Sequence, residues 1–309
     1  MTPIPKSSRF FKEAKLMLEV MPSVAAESCF ALKGGTAINF FVRDMPRLSV
    51  DIDLTYLPSG DRIASLTGIT NALKSIANRI HQANATLQVQ EGKLKNTQVV
   101  TKLYISNQDA QIKVEPNLVL RGTLFPTEKL RLSPKVEELF ETSVKITCVS
   151  RADLYGGKLC AALDRQHPRD LFDVKVLIEN EGITEEIRKG FVIYLACHDE
   201  TMSQLLAPPE KDITKAYVEE FAEMPTEPVA LEELLSTRKT LVGTLKASLT
   251  QDERKFLLSI KEGNPIWDLL GVTGAEKLPA IQWKLANIKK MKPDHHSRSV
   301  DRLKAILEL

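Results

Sequence analysis

A glycine-containing turn and an acidic segment lie close together near the start of the chain. Lys33-Gly34-Gly35-Thr36 follows the apolar residues 29–32, and Asp51-Ile52-Asp53 begins fifteen residues after Thr36. The apolar residues are typical of a short buried strand, and residues 36–42 are typical of the opening of an apolar helix. Thr36 can either cap that helix or bind phosphate. Glycines without Cβ atoms let the backbone approach an anion closely, and a helix N-terminus offers free N–H groups. This pattern predicts a strand–turn–helix unit that accommodates phosphate.

The acidic segment has the alternation of a strand. In residues 50–56, Asp51 and Asp53 would project from one face while Ile52 and Leu54 project from the other. Two carboxylates on one face repel each other unless a cation or a proton compensates them, and Mg²⁺ is a plausible compensation. The alternative is that the two aspartates merely lie at the edge of an exposed strand.

A third carboxylate is available further along the chain. Residues 111–115 form another alternating segment, which ends with Glu115. If this strand pairs beside the first, then Asp51, Asp53 and Glu115 surround one or two Mg²⁺ ions. The alternative is that the strand faces solvent and that Glu115 has no ligand.

Length and composition predict a protein with more than one domain. The chain has 309 residues, of which 43% are hydrophobic, and this is enough to build a substantial core. The four cysteines show no metal-type spacing, so we expect reduced core residues without zinc or disulfides. The N-terminus lacks a secretory apolar segment, and the longest apolar stretch, residues 191–197, is too short to cross a bilayer. We therefore expect a cytoplasmic protein without a membrane partner.

The overall charge does not indicate a nucleic-acid partner, but one local segment does. The net charge is only +2, whereas residues 289–304 carry +4 without counting His295 and His296. Such a segment can bind a phosphate backbone. A solvated helical tail is the alternative. The basic residues are Lys289, Lys290, Lys292, Arg298, Arg302 and Lys304.

The order of the predicted elements indicates an α+β protein. We expect a sheet of about five strands with packed helices in the first half, residues 120–134 as a linker or mobile loop, and helices from residue 150 onward. The predicted domains are therefore residues 1–149 and 150–309. The elements of the first half are a helix at 9–26, the strand at 29–32, the acidic strand, a helix at about 61–82, and strands at 86–90, 98–105 and 111–115.

A second group of candidate residues opens the helical part. Ser150 is a good N-cap for a helix that contains Gly156-Gly157-Lys158. The two glycines weaken a helix but reduce local bulk, which would let the Lys158 ammonium reach phosphates across a cleft. After a break at His167-Pro168, Arg169 and Asp173 lie one turn apart in the next helix. Asp173 would either form a salt bridge with Arg169 or take part in catalysis.

These motifs resemble the successive motifs of a known family. Lys33-Gly34-Gly35-Thr36-Ala37, Ser49-Val50-Asp51-Ile52-Asp53-Leu54, the helix around Lys158 and Arg169-Asp170-Leu171-Phe172-Asp173 are similar to those of the AbiE-type toxin nucleotidyltransferases. This family includes the MenT toxins and belongs to the polymerase-β-like superfamily. Residues 253–259 and 278–288 resemble its closing helices. The fourteen residues between Thr36 and Asp51 are slightly more than usual, so residues 43–48 would form an enlarged loop near the nucleotide.

The resemblance implies a fold and a set of roles. The fold would be bilobed, with an N-terminal polymerase-β-like nucleotidyltransferase sheet facing a helical C-terminal lobe. Asp51 and Asp53 would bind Mg²⁺, Asp173 would complete the catalytic set, and Ser49 would be the site of a regulatory phosphorylation by the antitoxin. The nucleotide would be bound by the residues of the glycine turn and of the helical part, namely Lys33, Gly34, Gly35, Thr36, Lys158 and Arg169.

The implied activity is that of a type IV-like, abortive-infection toxin with a cognate antitoxin. It would transfer a nucleotide from an NTP to an RNA 3′-hydroxyl, that of the tRNA acceptor end, and so block translation. The basic segment at 289–304 would guide the tRNA backbone. Trp283 would be a core anchor, with a base-stacking platform as the alternative. Two alternatives stay open, namely nucleotide transfer to a protein hydroxyl and a non-catalytic module that binds NTP or a partner. Intact Asp51, Asp53 and Lys158 argue against the non-catalytic module.

Overall fold

The computed structural model describes residues 4–309, and the chain divides into two compact units. The first unit contains the residues up to Ser150 together with Glu220–Pro228. The second contains Arg151–Glu219 and Val229–Leu309. A short segment of the C-terminal half therefore belongs to the first unit.

The first unit is built on a mixed sheet of seven strands in the order β3-β4-β5-β2-β1-β7-β6. This confirms the predicted α+β class, although the sheet has two more strands than expected. One of them, β6, lies inside residues 120–134, so the prediction of a linker or loop was wrong for residues 128–131, while residues 120–127 contain no helix or strand. The strands are β1 Phe30–Lys33, β2 Asp51–Tyr56, β3 Gln88–Lys93, β4 Val100–Ser106, β5 Gln111–Asn117, β6 Glu128–Arg131 and β7 Lys145–Cys148.

Strand β2 has a central place in this sheet. It runs antiparallel to β1 and parallel to β5, and its register places Asp51 opposite Lys113 and Asp53 opposite Glu115. The pairing of the two acidic strands is therefore confirmed. Since residues in register on neighbouring strands share a face, Asp51, Asp53 and Glu115 project from the same side of the sheet.

The opposite side of the sheet forms the core of the first unit. Ile52, Leu54, Val114 and Leu103 are fully buried there. Helices α1 (Arg9–Ala25) and α3 (Arg62–Ala83) contact strands of the sheet and each other. A short α2 (Gly34–Thr36) continues as a π-helix over Ala37–Val42, and α4 is Pro134–Phe140. The alternation that buries Ile52 and Leu54 thus leaves Asp51 and Asp53 half-exposed.

The second unit is helical, as predicted. The four cysteines are free, and three of them are buried. Within residues 4–309, none of the helices combines the length and apolarity needed to cross a membrane. The remaining helices are α5 Arg151–Asp164, α6 Pro168–Asn180, α7 Glu185–Cys197, α8 Met202–Leu206, α9 Thr214–Glu220, α10 Leu231–Ser248, α11 Gln251–Glu262, α12 Pro279–Lys289 and α13 Pro293–Leu307.

Candidate functional site

The glycine turn is shaped by the acidic strand beside it. Gly34 follows β1 with a φ of +73°, a conformation that favours glycine. A Cβ atom at Gly34 would collide with the carboxylate of Asp53, and one at Gly35 would lie 2.7 Å from Nη2 of Arg47. Because the two glycines have no side chains, the backbone of the turn lies directly against Asp53 and Arg47.

Thr36 connects the turn to the start of β2. It is buried, and its hydroxyl lies 2.5 Å from the Asp51 carbonyl oxygen and 2.9 Å from Ser49 Oγ. A carbonyl oxygen can only accept, so Thr36 donates its single proton to Asp51 and the Ser49 hydroxyl donates to Thr36. Thr36 lies inside the helical segment and makes no side-chain cap bond there, so its expected capping role was wrong. Its hydroxyl instead fixes the backbone of the first metal-binding candidate.

Ser49 is the candidate phosphorylation site, and it is only 6% exposed. Its hydroxyl belongs to the pair with Thr36 described above. A phosphate at this position would need the segment before β2 to open, because a phosphoryl group carries up to two charges and needs space and partners. Regulation through Ser49 stays a prediction.

Sequence reasoning missed Arg47, which is 2% exposed and lies against Gly35. It donates from Nη1 to the Leu48 carbonyl oxygen at 2.8 Å and forms an isolated antiparallel bridge with Pro225. The same segment is held by two backbone hydrogen bonds, from Leu48 N to Met224 O at 2.8 Å and from Thr226 N to Pro46 O at 2.9 Å. The predicted loop at 43–48 was the only sequence signal, and nothing in the sequence linked it to residues 224–226.

The carboxylate face of β2 continues onto β5, where Glu115 binds two lysines. Glu115 Oε2 lies 2.7 Å from Lys113 Nζ, and Oε1 lies 2.9 Å from Lys102 Nζ. Burial acts to raise the pKa of Glu115, but the hydrogen bonds from Lys113 and Lys102 outweigh it and hold that pKa below its usual value. Asp51 and Asp53 in turn help to raise the pKa of Lys113. The face therefore holds charged acidic and basic groups side by side.

The donor set of this face fits a magnesium ion. Among residues 4–309, no group of three or more His, Cys, Asp or Glu side chains is arranged to hold a metal ion. Mg²⁺, however, is commonly held by one or two carboxylates and completed by substrate phosphates and water. Asp51 and Asp53 supply two half-exposed carboxylates, and the absence of a Cβ at Gly34 lets the backbone of the turn lie beside one of them. Glu115 is engaged by lysines, so its role as a third ligand stays a prediction.

The second candidate group forms a buried ion cluster in the second unit. Lys158 Nζ lies 3.0 Å from Asp170 Oδ1 and 2.9 Å from Asp173 Oδ2, and the three side chains are at most 6% exposed. Arg165, which follows the last residue of α5, donates from Nη2 to Asp170 Oδ1 at 2.9 Å. Asp173 thus pairs with Lys158, and Asp170 is a full member of the same cluster. Arg169 lies in the first turn of α6, where its N–H donates to His167 Nδ1 at 3.1 Å.

The glycines before Lys158 have a packing role. A Cβ at Gly156 would lie 2.6 Å from the carbonyl carbon of Gly190 and 2.7 Å from the nitrogen of Phe191, so α5 and α7 cross in close backbone contact. At Gly157 the nearest atom would be Tyr194 Cδ1, at 4.0 Å. The close approach predicted from the glycine pair is real at Gly156, but it is made by another helix.

The basic segment lies on α12 and α13. All six of its lysines and arginines are exposed, as is His295. Trp283 on α12 is 56% exposed, so its prediction as a core anchor was wrong. The exposed side chains of α12, of α13 and of the residues between them therefore include six basic groups and an indole ring.

The comparisons with known proteins bear on the whole chain. Residues 15–287 match the family model described as nucleotidyl transferase AbiEii toxin, type IV toxin–antitoxin system. The solved structure of MenT4, a nucleotidyltransferase toxin from Mycobacterium tuberculosis H37Rv, matches with a TM-score of 0.51 and 14% identity, covering 89% of this chain and 93% of that chain. This likeness is one of fold. A comparison with curated proteins gives no match. The family match spans most of the sequence, and the chain belongs to the AbiEii nucleotidyltransferase toxins of type IV toxin–antitoxin systems.

Proposed function

We propose that this chain is a Mg²⁺-dependent nucleotidyltransferase that moves NMP from an NTP to the 3′ end of tRNA and thereby blocks translation. The observation that carries the proposal is the pair of half-exposed carboxylates, Asp51 and Asp53, on one face of β2 beside the Gly34 turn. The family membership supports nucleotidyl transfer and implies an antitoxin partner. The protein would act in the cytoplasm, where tRNA is found.

The proposed reaction is an in-line displacement at the α-phosphate. A bond forms between the acceptor oxygen and the α-phosphorus, the bond to the β-phosphate oxygen breaks, and pyrophosphate leaves. The backbone of Gly34 and Gly35, at the start of a helical segment, would bind the triphosphate, with Lys33 at the end of β1 adding a positive charge. Asp51 and Asp53 would hold Mg²⁺, which would supply charge neutralisation on the phosphates and lower the pKa of the attacking hydroxyl.

The motifs of the helical part supply three further groups, namely Lys158, Asp173 and Arg169. Lys158 would neutralise charge on the departing phosphates, and Arg169 would assist in nucleotide binding. Asp173 would orient Lys158, a role that the 2.9 Å ion pair between the two side chains supports. The Lys158 ammonium is bound by two aspartates. A nucleotide phosphate could therefore bind it only if at least one of these ion pairs breaks.

The choice of RNA as acceptor is supported by the surface of α12 and α13. Its exposed lysines and arginines can bind a phosphate backbone with a marked dependence on salt. The exposed Trp283 ring adds a group on which an unpaired base can stack. Regulation would follow from phosphorylation of Ser49, which sits two residues before Asp51 and would bring negative charge to the metal carboxylates.

The test is transfer of label from each α-³²P-labelled NTP, with Mg²⁺, to bulk tRNA or to total cell protein, resolved on denaturing gels. We expect label on tRNA that is lost with EDTA. Asp51→Ala should reduce it by at least about a thousandfold, because a bound metal contributes several kcal/mol to such a reaction. Asp109→Ala is the matched control, since Asp109 is an exposed loop residue paired with Lys12, and it should label tRNA normally.

The other outcomes identify the alternatives. Label only on protein would replace the tRNA acceptor by a protein hydroxyl. NTP binding without any labelled product would favour a non-catalytic binding module. Undiminished labelling by Asp51→Ala, with the enzyme purified free of other transferases, would contradict the assignment of the metal carboxylates.

A further inference from the structure

The face that carries Asp51 and Asp53 extends across two more strands. Asp51 is in register with Lys113 on β5, and Lys113 is in register with Tyr104 on β4. Next to this row, Asp53 is in register with Glu115, which binds Lys102 of β4. All these side chains are half-exposed, whereas the residues between them on β4 and β5 are buried on the other side. A polar surface therefore leads from the two aspartates toward the β3 edge of the sheet.

The charges on this surface are divided: Asp51 and Asp53 lie on β2, whereas Lys102 and Lys113, which would attract an anionic ligand, lie on β4 and β5. Lys102 and Lys113 share one carboxylate, that of Glu115, and each of the three side chains is about one-third exposed. The pair of lysines thus retains one positive charge in excess of Glu115. Glu115 holds both ammonium groups within 2.9 Å of its oxygens, so they are close together and partly immobilised before any ligand arrives.

An aromatic ring lies on the same surface. Lys102 Nζ is 6.0 Å from the centroid of the Tyr104 ring. Across the strand pair, Gly92 of β3 is in register with Lys102, and a Cβ there would collide with the Lys102 side chain and lie 3.4 Å from the Tyr104 ring. A glycine inside a strand often marks a place of close approach. Here Gly92 lets the side chains of Lys102 and Tyr104 pack against the backbone of β3, and no side chain at this position covers them.

We propose that Lys102, Tyr104 and Lys113 form a binding surface for the terminal nucleotides of the RNA acceptor. Tyr104 would stack on an unpaired base, and the two lysines would contact the neighbouring phosphates. This combination of a basic surface with an aromatic ring is the usual chemistry of single-stranded RNA recognition on a sheet. Since the surface adjoins Asp51 and Asp53, a bound 3′ end would present its hydroxyl at the proposed reaction centre. The inference rests on the proposed function, because it assumes that the acceptor is RNA.

The test measures RNA binding without catalysis. End-labelled bulk tRNA is titrated with the full-length protein in the absence of NTP, and the fraction bound is read by filter binding at several salt concentrations. Tyr104→Leu should weaken binding roughly 10-fold to 100-fold, whereas Tyr104→Phe should bind like the unmodified protein, because base stacking needs the ring and not the hydroxyl. Lys102→Ala and Lys113→Ala should each weaken binding and reduce the salt slope by about one.

Lys95→Ala is the matched charge control, because Lys95 is exposed and lies in the turn between β3 and β4. It should leave the affinity of the surface nearly unchanged. Equal thermal melting of Tyr104→Leu and Tyr104→Phe would establish that the binding difference is not a folding difference. In transfer assays, Tyr104→Leu should raise the KM for tRNA and change kcat little.

The outcomes separate this inference from the proposed function. If the unmodified protein labels tRNA but Tyr104→Leu binds tRNA with unchanged affinity, the binding surface is wrong and the transfer proposal stands. If the protein labels no RNA with any NTP, the proposed function fails and this inference fails with it. Loss of affinity in Tyr104→Leu with full recovery in Tyr104→Phe supports the binding surface, and labelling of tRNA supports the transfer proposal.

Discussion

Two pairs of adjacent glycines in this chain have the same sequence signature but different physical roles. Gly34 and Gly35 bend the backbone around the Asp53 carboxylate, and Gly34 does so with a φ of +73°. Gly156 lies inside a helix and makes room for the backbone of α7, while Gly157 has no neighbour closer than 4.0 Å to its missing Cβ. The first pair shapes a half-exposed charged surface, and the second serves helix packing.

The lysines beside the two pairs differ in the same way. Lys33 ends β1 in the register position opposite Asp53 and is half-exposed. Lys158 is buried among Asp170 and Asp173. The sequence shows that a lysine adjoins the glycine pair in both places, before it at Lys33 and after it at Lys158. Only the packing shows whether the charge faces solvent or is neutralised inside the fold. The two regions should therefore respond differently to substitution.

The largest expected effect on stability is that of Lys158→Ala. Removing the ammonium leaves Asp170 and Asp173 buried with an uncompensated charge, which typically costs about 3 to 5 kcal/mol in the free energy of unfolding. Urea denaturation followed by circular dichroism measures this. Lys189→Ala removes a half-exposed lysine from its ion pair with the exposed Glu185 and should shift the midpoint little. A Lys158→Ala protein as stable as the unmodified one would remove the distinction between the two regions.

The same cluster should make the protein sensitive to acid, with a smaller effect, because protonation neutralises one carboxyl and leaves the lysine in place. Burial alone would raise the pKa of Asp170, but the charges of Lys158 and Arg165 hold it below its ordinary value. A lowered folded-state pKa contributes stability above the unfolded-state value, about 3.9, that is lost as the pH falls through the folded-state pKa. Unfolding free energies measured between pH 7 and pH 3 should therefore decline below about pH 4. In Arg165→Gln the folded-state pKa of Asp170 should lie closer to the unfolded-state value, so the loss of stability below pH 4 should be smaller. An unchanged profile would contradict the assignment.

Much of this could be predicted from the sequence, because periodicity and glycine chemistry act locally. The alternation in residues 50–56 and 111–115 predicted which side chains share a face, and the register confirmed it. Strand β6 was missed because its four residues, Glu128–Arg131, are mostly charged and form a strand only through pairing with β7. The contact of Arg47 with Gly35 and the pairing of residues 46–48 with 224–226 depend on chain folding over long separations, which no local pattern encodes.

Gly156→Ala should destabilise the second unit by about 1 to 3 kcal/mol or more, because the new methyl group would lie 2.6 Å from backbone of α7 and neither helix can move without repacking. Thermal melting of the full-length protein measures the loss. A stability equal to that of the unmodified protein would mean that the two helices separate easily, contrary to the packing described here.

Gly34→Ala should cost about 1 to 2 kcal/mol, because alanine in the left-handed conformation is strained. Its larger consequence should be chemical. The added methyl group would collide with the Asp53 carboxylate and displace it, and a displacement of about 1 Å can lower a rate about 100-fold. Melting and the labelling assay, run on the same preparation, test the two parts. Full transfer activity in Gly34→Ala would show that the position of the Asp53 carboxylate is not critical.

The smallest effect, that of Gly157→Ala, distinguishes most directly between the two roles of a glycine pair. Alanine there meets only Tyr194 Cδ1 at an ordinary contact distance, and it is a better helix former than glycine by about 0.5 to 1 kcal/mol. If the pair serves packing at Gly156 alone, Gly157→Ala should raise the melting temperature slightly and leave transfer unchanged. If the second glycine were needed for a phosphate to approach Lys158, the same substitution would raise the KM for the NTP while the protein became more stable. Stability and KM measured on this one variant thus decide whether the glycine beside Lys158 has the role of the glycines beside Asp53.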